Sequence, residues 1–331
     1  MDNKELAIGV LGAGGNIGQT HSHNIATYVD GARLAAVYDL NTDRANEVAQ
    51  RYGAQVMDSA EALIGSPDVD AVVIASWDGT HAALATACIE AGKPVFCEKP
   101  LATTQADAKA VVEAEQAAGK RLVQLGFMRR FDPDYIKMKQ ILDSGELGAP
   151  LMAHCISRTR SHPKDHTTAQ HITNIAIHEI DICRWLLGEE LTEVAVRFPR
   201  STCFAEGTCK DPQLVLMQSE SGVLIDVEVS GNSYYGYEIL CELVCEKGTI
   251  RLPVAAEPIV RSYLRCGQAI PADWTARFVT AYQQELQHWV DYLRGKTAAP
   301  GPGTADGYAA CVVSDALIRA QGSGAWEKVG G

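Results

Sequence analysis

The first third of the chain alternates short apolar runs with longer stretches of mixed polarity. Leu6–Leu11, Leu34–Tyr38, Ala71–Ala75, Val95–Cys97 and Arg121–Leu125 carry almost no polar side chain, and a third short strand is expected near Gln55-Val56. Runs apolar on both faces read as strands buried inside a parallel sheet. Helical stretches lie between them, one ending near Tyr28, one starting near Thr42, one near Ala60, then Ala82–Ala91 and an alanine-rich segment to about Ala118, for which Thr103 or Thr104 can serve as cap. Strand and helix alternate as far as Gly126, the signature of a doubly wound parallel sheet in an α/β domain.

Beyond Gly126 the period changes. A helix over Pro133–Leu142 is followed by strict alternation, with Ile225, Val227 and Val229 on one face and Asp226, Glu228 and Ser230 on the other. Leu214–Gln218 and Ile225–Ser230 form a hairpin through Ser221-Gly222, and Leu151–Ser157, Glu193–Phe198 and Tyr237–Glu246 add strands. The expectation is a second α/β domain with an open, mostly antiparallel sheet, one face under helices and the other free for a partner subunit. Pro253, Pro258 and Pro271 break up a loop before a helix over Ala276–Leu293, and Thr304–Ala320 is a last helix after the linker Ala298–Gly303. The expected division is 1–126 for nucleotide binding, 127–303 for substrate binding and oligomerisation, and 304–331 for a helix and tail returning toward the first domain.

Candidate chemistry sits at the strand ends. Gly12-Ala13-Gly14-Gly15-Asn16-Ile17-Gly18 follows the first strand and opens a helix, where backbone N–H groups and the helix dipole hold a pyrophosphate. Its spacing departs from Gly-x-Gly-x-x-Gly because Ile17 stands at the third glycine. Either the turn is one residue longer, or it reads Ala13-x-Gly15-x-x-Gly18. Asp39 ends the second strand, roughly twenty residues on, where a carboxylate meets the ribose hydroxyls of NAD and repels a 2′-phosphate; capping the next helix is its other reading. Ser76-Trp77-Asp78-Gly79-Thr80-His81 is a further turn at a strand C-terminus. Glu98-Lys99-Pro100 ends the run from Val95, and on its own is open between a solvated ion pair and a reactive lysine.

Composition narrows the class. The 331 residues exceed what one core usually serves, and 47% apolar with 21% charged is the balance of an ordinary globular protein. A net charge of −12 with no basic run speaks against nucleic acid or an anionic membrane as partner. No apolar run is long enough to span a bilayer, and the charged start Met1–Glu5 lacks a signal-peptide pattern, so a cytoplasmic location is expected. Ten scattered cysteines without a Cys-x-x-Cys read as reduced and mostly buried, with no metal site expected.

One further stretch is chemically dense. Across Ile172–Trp185, helical spacing collects Ile172, Ile175, Ala176 and Cys183 with Leu187, and sets Asn174, His178, Asp181 and Trp185 along another face. A buried helix whose histidine is satisfied by Asn174 and Asp181 is the competing reading. Together, the glycine-rich turn, Glu98-Lys99-Pro100, Gly126–Asp132 and His178-Glu179-Ile180-Asp181 with Arg184-Trp185-Leu186 resemble the Gfo/Idh/MocA oxidoreductase family over nearly the whole chain. Lys210–Gln213, Tyr235–Glu238 and Asp306–Tyr308 look most like its bacterial inositol 2-dehydrogenase branch.

That resemblance implies a Rossmann domain, NAD as cofactor, a homotetramer built through the open sheet, and oxidation of a secondary hydroxyl of a cyclic polyol to the ketone. Lys99 matches the family's catalytic lysine and His178 its catalytic histidine. Asn174 stands where the family has an aspartate paired with that histidine. Gly12, Gly14, Gly15, Asn16, Ile17, Asp39, Ser76, Trp77, His81 and Glu98 are the expected cofactor residues, Trp77 and His81 at the nicotinamide end. Arg129, Thr159, Tyr235 and Tyr237 are the expected substrate residues, Thr159 replacing an asparagine usual in inositol dehydrogenases. His178 is cast as base, with Lys99 stabilising alkoxide charge, and without a neighbouring carboxylate it is expected to be a weaker one. Another sugar or aminocyclitol dehydrogenase, an NAD-dependent glycosidase and a non-catalytic NAD-binding sensor are the alternatives.

Overall fold

The computed structural model describes residues 5–253 and 258–330; the charged start Met1–Lys4 and part of the proline-broken loop lie outside them. Two compact units are present. The first comprises Met1–Phe131 with Thr280–Cys311, the second Asp132–Val279 with Val312–Gly331. Thr280–Cys311, expected from the sequence in the second domain or the tail, thus clusters with the first unit.

In the first unit, β1 (Leu6–Leu11), β2 (Ala32–Tyr38), β3 (Gln55–Val56), β4 (Ala71–Ile74), β5 (Val95–Cys97) and β6 (Val123–Leu125) form one sheet in the order β3-β2-β1-β4-β5-β6. Every pairing is parallel. Order reverses between β1 and β4, the switch point outside whose carboxyl ends such sheets bind ligands. Helices α1 (Asn16–Thr27), α2 (Thr42–Tyr52), α3 (Ala60–Gly65), α4 (His81–Glu90) and α5 (Gln105–Ala117) make the crossovers. Local chemistry sets their ends: Asn41, Ser59 and Thr104 each accept a first-turn N–H, and Gly53 closes α2 in the left-handed conformation. Ile8, Val10, Val37 and Phe96 of the sheet are fully buried in one cluster with Leu286, Trp289 and Val290.

The second unit begins with α6 (Pro133–Asp143), capped by Asp132 with proline at the first helical position. Then come β7 (Pro150–Arg158), α7 (Ile177–Leu187), β8 (Leu191–Arg197), β9 (Gln213–Ser219), β10 (Leu224–Ser230), β11 (Glu238–Cys245) and β12 (Gly248–Arg251). A small hairpin follows, β13 (Val260–Ser262) with β14 (Arg265–Gly267), then α8 (Thr275–Leu293), α9 (Thr304–Ser323) and β15 (Glu327–Lys328). The main sheet runs β12-β11-β7-β10-β9-β8-β15 and is antiparallel except at β10–β7. Alternation along β7, β9, β10 and β11 buries one face while the other stays half-exposed. Among the described residues no helix is long and apolar enough to cross a membrane.

The stretch expected as one regular helix from Ile172 is not one. His171–Ala176 is a π-helical turn, and α7 begins only at Ile177. Such turns are rare and are frequently found at functional sites. Asp181, expected on a polar face, is 1% exposed. The ladder Asn174–His178–Asp181–Trp185 is therefore not a continuous open face.

Candidate active site

The glycine-rich turn follows β1 directly. Gly12 has φ +80°, and a Cβ there would sit 2.5 Å from the carbonyl oxygen of Ala75 at the end of β4. A Cβ on Gly18 would stand 2.0 Å from the carbonyl oxygen of Gly12, so the first turn of α1 packs on the strand end with no room for a side chain. Gly12 and Gly18 are thus the demanding positions, which resolves the spacing as a turn one residue longer than usual. Gly18 was in the motif but absent from the expected cofactor residues; its signal is visible only in the backbone contact. Helix α1 opens at Asn16 with no side-chain cap, so its first N–H groups, including that of Ile17, remain suited to an anion.

Asp39 is held at the end of β2 by two backbone donors, Gly14 N–H to Oδ2 at 2.8 Å and Asn41 N–H to Oδ1 at 2.8 Å. Asn41, not Asp39, caps α2. A carboxylate fixed beside Gly14 keeps further lone pairs for ribose hydroxyls, and this donor set fits NAD.

At the β4 end, Ser76 Oγ and Thr80 Oγ1 are 2.7 Å apart, and Thr80 Oγ1 donates to the carbonyl of Trp77 at 2.7 Å. Trp77 is 76% exposed, an apolar ring at the surface of this turn. His81 is fully buried, with Nδ1 2.7 Å from the Pro100 carbonyl and Nε2 3.1 Å from the Ser76 carbonyl. It ties two strand-end loops together, which differs from the expected lining role.

Glu98 differs in the same way. It is 6% exposed, its Oε1 is 2.7 Å from His21 Nε2, and its Oε2 accepts the Lys99 N–H at 3.2 Å. Glu285, fully buried, brings a carboxylate oxygen within 4.8 Å of both. Burial, then the charge of Glu98, drives the Glu285 carboxyl well above the usual range, so it is held protonated. Glu98 therefore acts as an internal brace beside the half-buried Lys99. Arg129, on the turn Met128–Phe131, is 2% exposed, while Arg130 pairs with Asp306 at 2.7 Å.

In the second unit, His178 is the one residue of Ile175–Arg184 that is not buried. Asn174, in the π turn, accepts from Thr173 Oγ1 at 3.1 Å. Thr159 continues β7 by pairing with the end of β10 and the loop after it, its N–H donating to the Ser230 carbonyl and its own carbonyl accepting from Ser233 N–H. Arg158 makes two bonds to Glu228, at 2.7 and 2.6 Å, and reaches Glu238 at 2.8 Å and the Tyr235 hydroxyl at 3.0 Å. The Glu228 bonds are the largest reason its guanidinium is raised still further above its ordinary range. Burial would raise Glu238, but bonds from Tyr235 and Arg158 outweigh it and keep the carboxyl below its ordinary value. Tyr235 is thus committed to an ion-pair network on the sheet. Tyr237 is 7% exposed. Both tyrosines line a cavity of about 350 Å³ with Glu238, Arg251, Ile270 and Arg277; Thr159, Asn174 and His178 are not among its walls.

Comparison with known proteins fixes the class. Residues 6–127 match the NAD-binding Rossmann domain of the GFO/IDH/MocA oxidoreductase family, and residues 135–251 match its C-terminal domain. The chain belongs to this family. It is 48% identical over 319 residues to inositol 2-dehydrogenase 3 of Saccharopolyspora erythraea, covering 96% of this chain and 94% of that one. Inositol 2-dehydrogenase of Burkholderia lata is 44% identical, covering 98% and 96%. The myo-inositol dehydrogenase of Lactobacillus casei, solved with NAD(H) and myo-inositol, superposes with a TM-score of 0.94 at 32% identity, over 99% of this chain and 97% of that one.

Proposed function

We infer that this protein is an NAD-dependent dehydrogenase that oxidises one ring hydroxyl of an inositol to the ketone. The observation that carries the reading is near-full-length similarity to enzymes named for this reaction, one of them solved with both cofactor and inositol. The residues present fit the cofactor: a turn with no room for a side chain at Gly12 or Gly18, an uncapped helix start and an Asp39 carboxylate held by two backbone N–H groups. Bound NAD supplies the acceptor for the hydride that leaves the carbinol carbon.

The chain supplies the proton chemistry. Oxidation releases the hydroxyl proton, and His178 is the base assigned to take it, its imidazole being the one opening in an otherwise buried helix segment. Lys99 is assigned to stabilise negative charge growing on that oxygen, with the buried Glu98 bracing its backbone. Asn174 orients neighbouring groups as donor and acceptor without adding charge. Arg129, Thr159, Tyr235 and Tyr237 remain assigned to substrate hydroxyls, with Tyr235 acting from the Arg158–Glu238 network.

Association into a homotetramer is part of the same reading. The half-exposed sheet face presents Met152, Ile156, Leu214, Leu216 and Leu240 among acidic residues, a mixed surface suited to a second copy. Light scattering on the purified protein tests it, a monomer counting against it. The reaction is tested with purified protein, NAD and a panel of inositols, aldoses and aryl glycosides, following NADH and aglycone together. NADH formed from an inositol supports the reading. Aglycone release without net NADH, or NAD binding with neither product, overturns it.

A further inference from the structure

The second unit holds a cluster of potential metal ligands that the proposed reaction does not use. Three of the nine histidines, His162, His166 and His171, fall within ten residues on the connection from β7 to α7. Cys209 reaches them from the connection between β8 and β9. One ligating atom each of His162, His171 and Cys209 lie within 4.8 Å of one another. Scattered cysteines without a Cys-x-x-Cys argued against a metal site in the sequence; the fold assembles this group from segments about forty residues apart.

The spacing is close to that of a bound ion. Cys209 Sγ is 3.9 Å from His171 Nδ1. With Zn–N near 2.05 Å and Zn–S near 2.3 Å, two ligands of a tetrahedral site stand about 3.6 Å apart, so the Cys209–His171 pair needs to close by only a few tenths of an ångström, and His162 lies within 4.8 Å of both. His171 is fully buried, and its other nitrogen, Nε2, lies 3.3 Å from Oδ1 of the equally buried Asp211. Asp211 is itself held by Gly231 N–H at 3.0 Å and the Asn232 amide at 3.1 Å. Asp211 thus faces the far nitrogen of His171, where outer-shell carboxylates stand at metal-binding imidazoles, while Nδ1 lies on the Cys209 side with Thr167 O 3.4 Å away.

His162 fits as well. Its Nδ1 is 2.8 Å from the Pro163 carbonyl and donates to it, which leaves the Nε2 lone pair, now accepting from the Asn232 amide at 2.9 Å. His166 stacks on His162 with ring centroids 4.2 Å apart and meets His171 edge-on at 4.9 Å. Its Nε2 is buried with no hydrogen-bond partner among the described residues. Hydrogen bonding thus accounts for His162, whereas the buried Nε2 atoms of both His166 and His171 have no hydrogen-bond partner among the described residues, and a thiol lies beside two imidazoles.

We propose that His162, His171 and Cys209 bind a zinc ion. Imidazole and thiolate together select zinc over magnesium or calcium, whose sites are built from oxygen. On binding, the Cys209 S–H bond breaks, the proton leaves to solvent and the thiolate sulfur ligates the ion. The ion ties the loop after Thr159 to the π turn that carries Asn174. This inference is independent of the reaction assigned above.

The test uses the full-length protein, stripped with a chelator and titrated with Co²⁺ and then Zn²⁺. The expected result is one Co²⁺ per chain with strong tetrahedral visible bands and a thiolate-to-cobalt charge-transfer band, all lost on adding Zn²⁺. Cys209→Ser should remove the charge-transfer band, and His162→Gln should weaken Co²⁺ binding by about tenfold or more. A charge-transfer band that persists in Cys209→Ser, with exposed Cys203 or Cys266 as its source, overturns the proposal. So does a folded wild-type protein that shows no such band, whatever the variants do.

Discussion

Replacing Glu285 with glutamine isolates the buried cluster behind Lys99. Glu285 is fully buried, neither of its carboxylate oxygens has a hydrogen-bond partner among the described residues, and Glu98 stands within 4.8 Å. Burial and then the Glu98 charge raise its pKa in the folded state, whereas the unfolded chain titrates near the ordinary glutamate value. Below that value both states are protonated. Above it the unfolded state loses its proton while the folded state keeps it, so stability falls as pH rises, until the folded pKa is passed. The slope for one such group is about 1.4 kcal/mol per pH unit. Glu285→Gln keeps the shape and removes the titration, and its amide can donate to Glu98. Urea unfolding of both proteins at several values above about pH 5 should therefore show the variant gaining on wild type as pH rises, by up to that slope per unit. A constant offset of its own would not matter. Parallel pH dependences would refute a protonated Glu285 and, with it, the idea that Glu98 is the single carboxylate braced behind Lys99.

Three other substitutions probe the site itself. Gly18→Ala places a methyl 2.0 Å from a backbone oxygen that no side-chain rotation can clear, and the N–H groups for the pyrophosphate move with it. NAD affinity by fluorescence titration should fall by about 10–100-fold, the worth of one lost bond to a charged group. His178→Gln should lower kcat by about 10²–10⁴-fold while leaving NAD affinity near wild type, since it removes a proton acceptor and not a cofactor contact. Asn174→Asp adds a carboxylate one turn from His178; by stabilising the imidazolium it should move the acidic limb of the rate profile upward by about 1–2 pH units and raise the plateau. An unshifted limb would separate Asn174 from His178.

Much of the fold was legible because period and polarity carry it. Uninterrupted apolar runs such as Val95–Cys97 identify parallel strands, and the alternation over Ile225–Ser230 identifies a one-sided sheet; the order and pairing observed agree with both. The π turn at His171–Ala176 was not legible, since an i to i+5 ladder leaves the residue types of an ordinary helix in place. Nor was the division of α8, whose residues from Thr280 onward cluster with the nucleotide half. Lys99 could be singled out from its neighbours. The partners of Glu98 could not, because His21 and Glu285 reach it across long stretches of chain. His162, His166 and His171 were in plain view at close spacing, but Cys209 joins them only in three dimensions.

The most direct measurement mixes the purified protein with NAD and myo-inositol and follows nicotinamide absorbance while the product is identified by mass. The expected result is one NADH and one inosose for each inositol consumed, abolished in His178→Gln. Bound NAD with no NADH from any inositol isomer would contradict the assigned reaction.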